Sequence, residues 1–185
     1  IIFYNKSPRY VPPQNNVEWI KGLSGKIKKV GVFVDEDLEI VQSIATSLEL
    51  DYIQLHGSES PDYCRSLNFP IIKAVHVGNT VDNIKISDYN VHALLFDTYV
   101  SGKKGGTGLS FDWSKLLNVN TNTPIILSGG LNSSNIIAGI NAVNPDAVDL
   151  NSGVEYSVGK KCSRKIEQIF DILKKTNNNS NLFDN

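Results

Sequence analysis

The chain has 185 residues, of which 41% are hydrophobic and 20% charged, as in a single globular domain that buries roughly two thirds of its unfolded surface. Its 18 basic and 19 acidic residues give a formal net charge of -1, which excludes a strong basic field for binding nucleic acid or an anionic membrane. The sequence contains no run of about 18 apolar residues, so it predicts no membrane span.

Short apolar runs rich in β-forming residues begin roughly 20 to 30 residues apart along the chain. They occupy residues 1–4, 30–34, 52–55, 71–75, 93–96, 124–127 and 147–150. Between them, apolar residues at helical spacing predict helices over residues 36–50, 135–143 and 163–173. Strands separated by crossover helices indicate a parallel sheet under helices, either an open doubly wound sheet or a closed barrel.

Three segments that contain glycine follow the later strands, and they favour the barrel. They are Gly105-Gly106-Thr107-Gly108, Ser128-Gly129-Gly130 and Asn151-Ser152-Gly153. Loops with little side-chain bulk can expose backbone N–H groups to a phosphate, and in a (β/α)₈ barrel the phosphate commonly lies on the last loops. Taken singly, each segment is more often an ordinary turn than a phosphate site, and the three in order favour the phosphate site.

Asp97 directly follows an apolar run, Leu94-Leu95-Phe96. A carboxyl group at the end of a buried strand can supply an acid to a site on the neighbouring loops. An aspartate in such a place is more often a helix cap or a loop hydrogen-bonding group, so the residue alone does not decide between these roles.

Ordered blocks over residues 1–173 resemble one enzyme family. They include Lys6-Ser7-Pro8-Arg9-Tyr10, Gln54-Leu55-His56-Gly57, Leu95-Phe96-Asp97-Thr98, Gly105-Gly106-Thr107-Gly108, Ser128-Gly129-Gly130-Leu131 and Ser152-Gly153-Val154-Glu155. In this order they resemble phosphoribosylanthranilate isomerase, which acts in tryptophan biosynthesis. The resemblance implies a (β/α)₈ barrel and an intramolecular oxidoreductase that needs no cofactor or metal. Its Amadori rearrangement converts N-(5-phosphoribosyl)anthranilate to 1-(2-carboxyphenylamino)-1-deoxyribulose 5-phosphate.

The resemblance also implies roles for individual residues. Asp97 becomes the general acid that protonates the furanose ring oxygen, and Arg9 a ligand of the anthranilate carboxylate. Asp149 could orient the substrate at the barrel mouth. The remaining substrate-binding residues are the phosphate ligands Gly106, Thr107, Gly108, Ser128, Gly129, Gly130, Ser152 and Gly153.

The family's general base is a cysteine in a Lys-x-Cys-Gly motif, and these 185 residues do not contain that motif. Cys64 and Cys162 fall in segments with helical patterning, far apart and without a histidine at ligand spacing. We interpret them as structural or surface thiols of a cytoplasmic protein, in neither a disulfide nor a metal site. The sequence has seven strand runs instead of eight, and the first begins at Ile1. We therefore predict a barrel that lacks its first βα unit, and we expect the catalytic cysteine to lie upstream of Ile1.

We therefore expect a barrel domain over residues 1–175 and a polar, flexible tail over 176–185. The expected partner is the small phosphoribosyl anthranilate substrate. Whether the chain is fused to other tryptophan-pathway enzymes, or is a neighbour of them, stays open. One alternative is an inactive fragment or a phosphosugar-binding pseudoenzyme. Another is a barrel like indole-glycerol-phosphate synthase, although no block here resembles that enzyme's motifs. Lys73, on the strand run 71–75, could pair with a carboxylate inside the barrel.

Overall fold

The computed structural model describes residues 1–23, 25, 27–78, 85–98, 112–117 and 119–175. The predicted phosphate ligands Gly106, Thr107 and Gly108 and the predicted tail lie outside these residues. The chain divides into two compact units. The first unit comprises Ile1–Ala74 and Lys85–Ala93, and the second comprises Val75–Ile84 and Leu94–Asn185.

Parallel strands and helices alternate in the first unit. Its strands are β1 (Val30–Phe33), β2 (Tyr52–Leu55) and the start of β3 (Ile71–Val77), and its helices are α1 (Val17–Lys21), α2 (Leu38–Ser47) and α3 (Pro61–Ser66), with 3-10 turns at Pro13–Asn15 and Ile86–Asp88. β1 pairs with β2 and β2 with β3, both in parallel. This arrangement confirms the predicted alternation of strand and crossover helix.

Helix α2 shows how the local sequence sets both its buried face and its length. Val41, Ala45 and Leu48 are all buried, as the helical spacing predicts. The helix is shorter than the predicted 36–50 because its N-cap residue Asp37 is extended, with ψ 140°, and Glu49 has a φ of 53°. Neither conformation can continue a right-handed helix, so the helix begins after Asp37 and ends before Glu49.

The amino-terminal run, residues 1–4, forms less strand than its composition predicts. Ile2 makes isolated parallel bridges with Tyr10 and Val32, and the Phe3 N–H donates to the Val32 carbonyl at 2.9 Å. A turn follows at once, because the Tyr4 carbonyl accepts the Ser7 N–H at 3.0 Å. Within the described residues, the seven predicted runs therefore correspond to six parallel strands and this bridged segment.

The second unit repeats the alternation and adds an unpredicted hairpin. It contains β4 (Ala93–Thr98), β5 (Ile125–Leu127), β6 (Ala147–Val148), α4 (Ile136–Val143), α5 (Ser163–Lys174), 3-10 turns at Trp113–Leu116 and Ser152–Val154, and the hairpin strands β7 (Glu155–Ser157) and β8 (Lys160–Lys161). β4, β5 and β6 pair in parallel, and β7 pairs with β8 in antiparallel. The hairpin turns at Gly159, whose φ is 77°.

Each unit has its own cluster of buried apolar side chains. In the first unit, Phe33, Val41, Ile53 and Leu55 are among the members. In the second, a smaller cluster forms where α4 and α5 pack, built on Ile136, Ile140, Val154 and Ile169. No helix of the described segments is long and apolar enough to cross a membrane.

The two cysteines differ in environment. Cys64 is 3% exposed inside α3, and burial, the largest cause, raises the pKa of its thiol to about 11. Cys162 is partly exposed and is the N-cap residue of α5, so it precedes the helix instead of lying within it. A buried thiol that stays protonated is a poor nucleophile, which agrees with a structural role for Cys64.

We expect iodoacetamide at pH 8 to alkylate Cys162 well before Cys64 in the native protein, because the reactive species is the exposed thiolate. Mass spectrometry of the digested protein over time gives the two rates, and a Cys64→Ser variant confirms the peptide assignment. Adding urea should remove the difference. Equal rates in the native protein would contradict the buried position of Cys64.

Candidate active site

Asp97 lies near the carboxyl end of β4, in a strand whose residues are all buried. Its side chain is 6% exposed, and Oδ1 accepts the N–H of Thr98 at 2.8 Å. β4 and β5 pair in parallel with Phe96 opposite Leu127. The residues that follow these two positions, Asp97 and Ser128, therefore emerge at the same edge of the sheet.

The turn after β5 approaches Asp97 through a glycine. Gly129 and Gly130 have φ angles of 85° and 67°, in the region that L side chains rarely adopt. A Cβ atom on Gly129 would lie 2.3 Å from Thr98 Oγ1 and 3.1 Å from Asp97 Oδ1. Both its backbone conformation and the lack of space thus require glycine, and they bring the turn's main chain against the carboxylate.

Asp149 joins the same edge from β6. Its N–H donates to the Leu127 carbonyl at 2.8 Å, and its Oδ2 accepts the hydroxyl of Ser128 at 3.0 Å. Ser128 is buried, and its own N–H donates to the Phe96 carbonyl at 2.9 Å. Three neighbouring strands therefore deliver two carboxylates and the Ser128 hydroxyl to one edge of the second unit.

Two asparagines that lead into α4 hold the glycine turn in place. The Gly130 carbonyl accepts from Asn132 Nδ2 at 3.2 Å and from Asn135 Nδ2 at 3.1 Å. The Asn132 N–H donates in turn to Asn135 Oδ1 at 2.8 Å. Sequence reasoning missed the role of these two asparagines. Asparagines next to a glycine turn are the sequence signal that could have predicted these bonds, because asparagine side chains readily hydrogen-bond to nearby backbone.

The loop after β6 packs directly on the loop after β5. A Cβ atom on Gly153 would lie 1.9 Å from the Leu131 carbonyl oxygen, a separation that no side chain could tolerate. Ser152–Val154 forms a single 3-10 turn at this point. The predicted ligand groups Ser128-Gly129-Gly130 and Ser152-Gly153 therefore belong to adjoining loops, which together present backbone with little side-chain bulk.

Those predicted site residues of the second unit that the structure describes are thus on adjoining segments: Asp97, Ser128, Gly129, Gly130, Asp149, Ser152 and Gly153. A buried carboxyl group beside glycine-rich backbone can transfer a proton to a small polar ligand held by main-chain N–H groups. Arg9 belongs to the first unit, where its N–H donates to Ser7 Oγ at 3.1 Å. Its role as a carboxylate ligand stays a prediction.

The first unit contains a buried ion pair at the ends of its strands. Lys73 on β3 is fully buried, and its Nζ lies 3.0 Å from Glu59 Oε2. The ammonium is also within hydrogen-bond distance of the carbonyls of Leu55, Gly57 and Ala74, at 3.3, 2.8 and 3.1 Å. The expected pairing of Lys73 with a carboxylate is therefore confirmed, and Glu59 is the partner that sequence reasoning missed.

Glu59 also organises the backbone around it. Its Oε1 accepts the Asp35 N–H at 2.9 Å, and its Oε2 accepts the Gly57 N–H at 3.0 Å. Nearby, the amide nitrogen of Gln54 lies 3.1 Å from His56 Nδ1, as expected of a hydrogen-bonded packing histidine. The carboxylate thus ties the loop after β1 to the loop after β2.

Comparisons with known proteins converge on one family. A family model described as N-(5'phosphoribosyl)anthranilate (PRA) isomerase matches residues 1–172. The N-(5'-phosphoribosyl)anthranilate isomerase of Syntrophus aciditrophicus is 41% identical over 175 residues, which cover 94% of this chain and 76% of the relative. That of a Thermoanaerobacter species is 40% identical over 170 residues, with 90% and 84% covered.

Solved structures with this name share the fold. Phosphoribosyl anthranilate isomerase from Thermotoga maritima superposes with a TM-score of 0.83 and 33% identity, covering 95% of this chain and 86% of that one. A phosphoribosyl anthranilate isomerase in complex with reduced 1-(o-carboxyphenylamino)-1-deoxyribulose 5-phosphate gives a TM-score of 0.80 and 32% identity over the same shares. The α/β architecture predicted from the sequence is therefore that of the (β/α)₈-barrel structures solved under this name.

Replacing Lys73 with methionine should destabilise the protein by about 3–5 kcal/mol, because Glu59 would keep a buried charge without its partner. Urea unfolding gives the free-energy change. In the double variant Lys73→Met/Glu59→Gln the charge is gone and the amide oxygen can still accept backbone N–H groups, so much of the stability should return. A double variant no more stable than Lys73→Met would contradict this account.

The substitution Gly129→Ala should lower the free energy of unfolding by about 1–3 kcal/mol, because the new methyl group would overlap Thr98 at a φ unsuited to alanine. Gly25→Ala is the matched control, since a Cβ there meets nothing within 4 Å. Urea unfolding of both variants is the measurement. Equal stabilities would show that the close approach at Gly129 is not a constraint.

Proposed function

The chain belongs to the N-(5'-phosphoribosyl)anthranilate isomerase family of tryptophan biosynthesis, and we propose that Asp97 is the general acid of its reaction. The enzyme is an isomerase, so its reaction rearranges bonds within a single substrate and needs no second reactant. The single observation that carries the proposal is the position of Asp97, a buried carboxyl group against the glycine turn of Gly129.

The first chemical step opens the sugar ring. A proton goes to the furanose ring oxygen, the bond from that oxygen to C1 breaks, and the nitrogen lone pair forms a C1=N iminium. Asp97 donates this proton in our proposal. Oδ1 is already oriented by the Thr98 N–H at 2.8 Å, so the carboxyl group needs little reorganisation before it acts.

The second step moves hydrogen from C2 to C1. A base removes the C2 proton, the electron pair forms an enolamine, and tautomerisation then gives the C2 ketone and the C1 amine. The family resemblance assigns this base to the cysteine of the Lys-x-Cys-Gly motif, which the 185 residues do not contain. Cys64 is unsuited as a substitute because it is buried in α3 and the pKa of its thiol is raised to about 11.

The adjoining loops of the second unit are proposed to hold the substrate's phosphate. Ser128, Gly129 and Gly130 follow β5, and Ser152 and Gly153 follow β6, where backbone can approach an anion without side-chain obstruction. Asp149 accepts the Ser128 hydroxyl at 3.0 Å and is proposed to orient a sugar hydroxyl. These assignments fit a phosphoribosyl anthranilate-type substrate, the class to which the ligand of one solved relative belongs.

A second candidate is a protein that binds the phosphosugar without turning it over. The proposed acid and phosphate-binding loops would suffice for binding, whereas turnover also needs a base. Binding and turnover separate the two candidates. The chain is assayed as it stands and also with an amino-terminal strand that carries Lys-x-Cys-Gly. Turnover in either form supports the isomerase, whereas tight binding without turnover in both supports the binding protein.

Asp97→Asn should lower kcat by about 10²–10⁴-fold, because the amide cannot donate the required proton. Binding of the reduced product analogue, measured by calorimetry, should change little, since the Asn oxygen can still accept the Thr98 N–H. Asp171→Asn, which alters an exposed carboxylate on α5, is the matched control. A kcat equal to wild type in the form that turns over would eliminate Asp97 as the acid.

A further inference from the structure

We propose that Lys161, on the unpredicted hairpin, is a positioning residue that fixes the last phosphate loop, residues 151–154. This inference rests on the proposed function, because it requires that Ser152 and Gly153 bind the phosphate. Lys161 Nζ donates to the Asn151 carbonyl at 2.8 Å and also to Asn151 Oδ1. Its third acceptor is Glu155 Oε1 at 3.1 Å.

The three acceptors bracket the loop. Asn151 precedes the Ser152–Val154 turn and Glu155 follows it, so one ammonium group joins the two ends of the turn. Asn151 has φ -116° and ψ -81°, outside the regular helix and strand regions. An irregular conformation of this kind persists when surrounding contacts hold it, and Lys161 binds both oxygens of the residue that adopts it.

The buried charge of Glu155 makes its contact with Lys161 stronger. Its side chain is 5% exposed, against 43% for Lys161. Removing the counter-charge of a buried carboxylate is strongly destabilising, so the folded protein is stabilised by keeping the ammonium in place. The Glu155 carbonyl also accepts from Lys165 Nζ at 2.7 Å, which ties the same point of the loop to the first turn of α5.

The hairpin backbone holds the loop from the same side. Glu155 pairs with Lys161 across β7 and β8, and the Cys162 N–H donates to the Val154 carbonyl at 2.8 Å. Gly153 in the same turn lies against the Leu131 carbonyl, with no room for a Cβ. The turn is thus confined between the loop after β5 and the hairpin.

The ammonium's three N–H donors are all directed at protein oxygens, so Lys161 acts on the phosphate through the loop. A loop that is already ordered loses less entropy when an anion binds. Losing Lys161 should therefore weaken phosphate binding by the folded protein. The proton transfer at Asp97 should be much less affected.

The test compares Lys161→Met with Lys160→Met, its neighbour on β8, which removes the same charge from an exposed position. Inorganic phosphate binding is measured by calorimetry, and folding by thermal unfolding. We expect phosphate affinity to fall about tenfold or more in Lys161→Met and to change less than about twofold in Lys160→Met. Equal losses of phosphate affinity in both variants would show that only the long-range attraction of a positive charge matters, and would overturn the proposal.

The double variant Lys161→Met/Glu155→Gln covers the case in which the single variant fails to fold, because it carries no uncompensated buried charge. We expect it to unfold near the wild-type temperature. Its phosphate affinity should nevertheless stay below that of wild type, since Asn151 has lost its hydrogen bonds to Lys161. Wild-type phosphate affinity in either folded variant would overturn the proposal. A wild-type protein that binds no phosphate would overturn the phosphate-loop assignment itself, and with it this inference.

Discussion

The contact between the Gly129 turn and the end of β4 is the constraint on which the candidate site depends. A side chain at Gly129 would overlap Thr98 and crowd Asp97, so the proposed proton donor and the proposed phosphate-binding loop can adjoin only because this residue has none. The positive φ angles at Gly129 and Gly130 then direct the chain away toward α4. The proposed acid and the proposed phosphate-binding backbone therefore meet at one short turn.

The carboxylates of both units are stabilised by the same means. Glu59 is compensated by Lys73 and by backbone N–H groups, and Glu155 by Lys161. Both pairs lie beside loops that follow parallel strands, where the regular ladder no longer satisfies backbone polar groups. Each ion pair also ties two backbone segments together, so the charges contribute to loop geometry as well as to charge balance.

Family membership and local geometry agree on Asp97 as the proposed general acid. They do not agree on a general base, because neither cysteine has a suitable position. The buried carboxyl group stands where the family's acid is expected, at the carboxyl end of a parallel strand. Neither cysteine is a convincing base, because Cys64 is buried within α3 and Cys162 caps the start of α5. The described residues thus support the proposed acid of the ring-opening step and the proposed phosphate-binding loops.

The sequence by itself determined six of the seven strand runs, the buried face of α2 at Val41 and Ala45, and the family, because periodicity and ordered blocks are local properties of the chain. It also identified Asp97 and the glycine loops. Only the tertiary structure decided that Glu59 is the partner of Lys73, that Gly129 touches Thr98, and that Lys161 brackets the last loop. These contacts join segments separated along the chain, and their distances depend on strand register and loop packing, which no local pattern encodes.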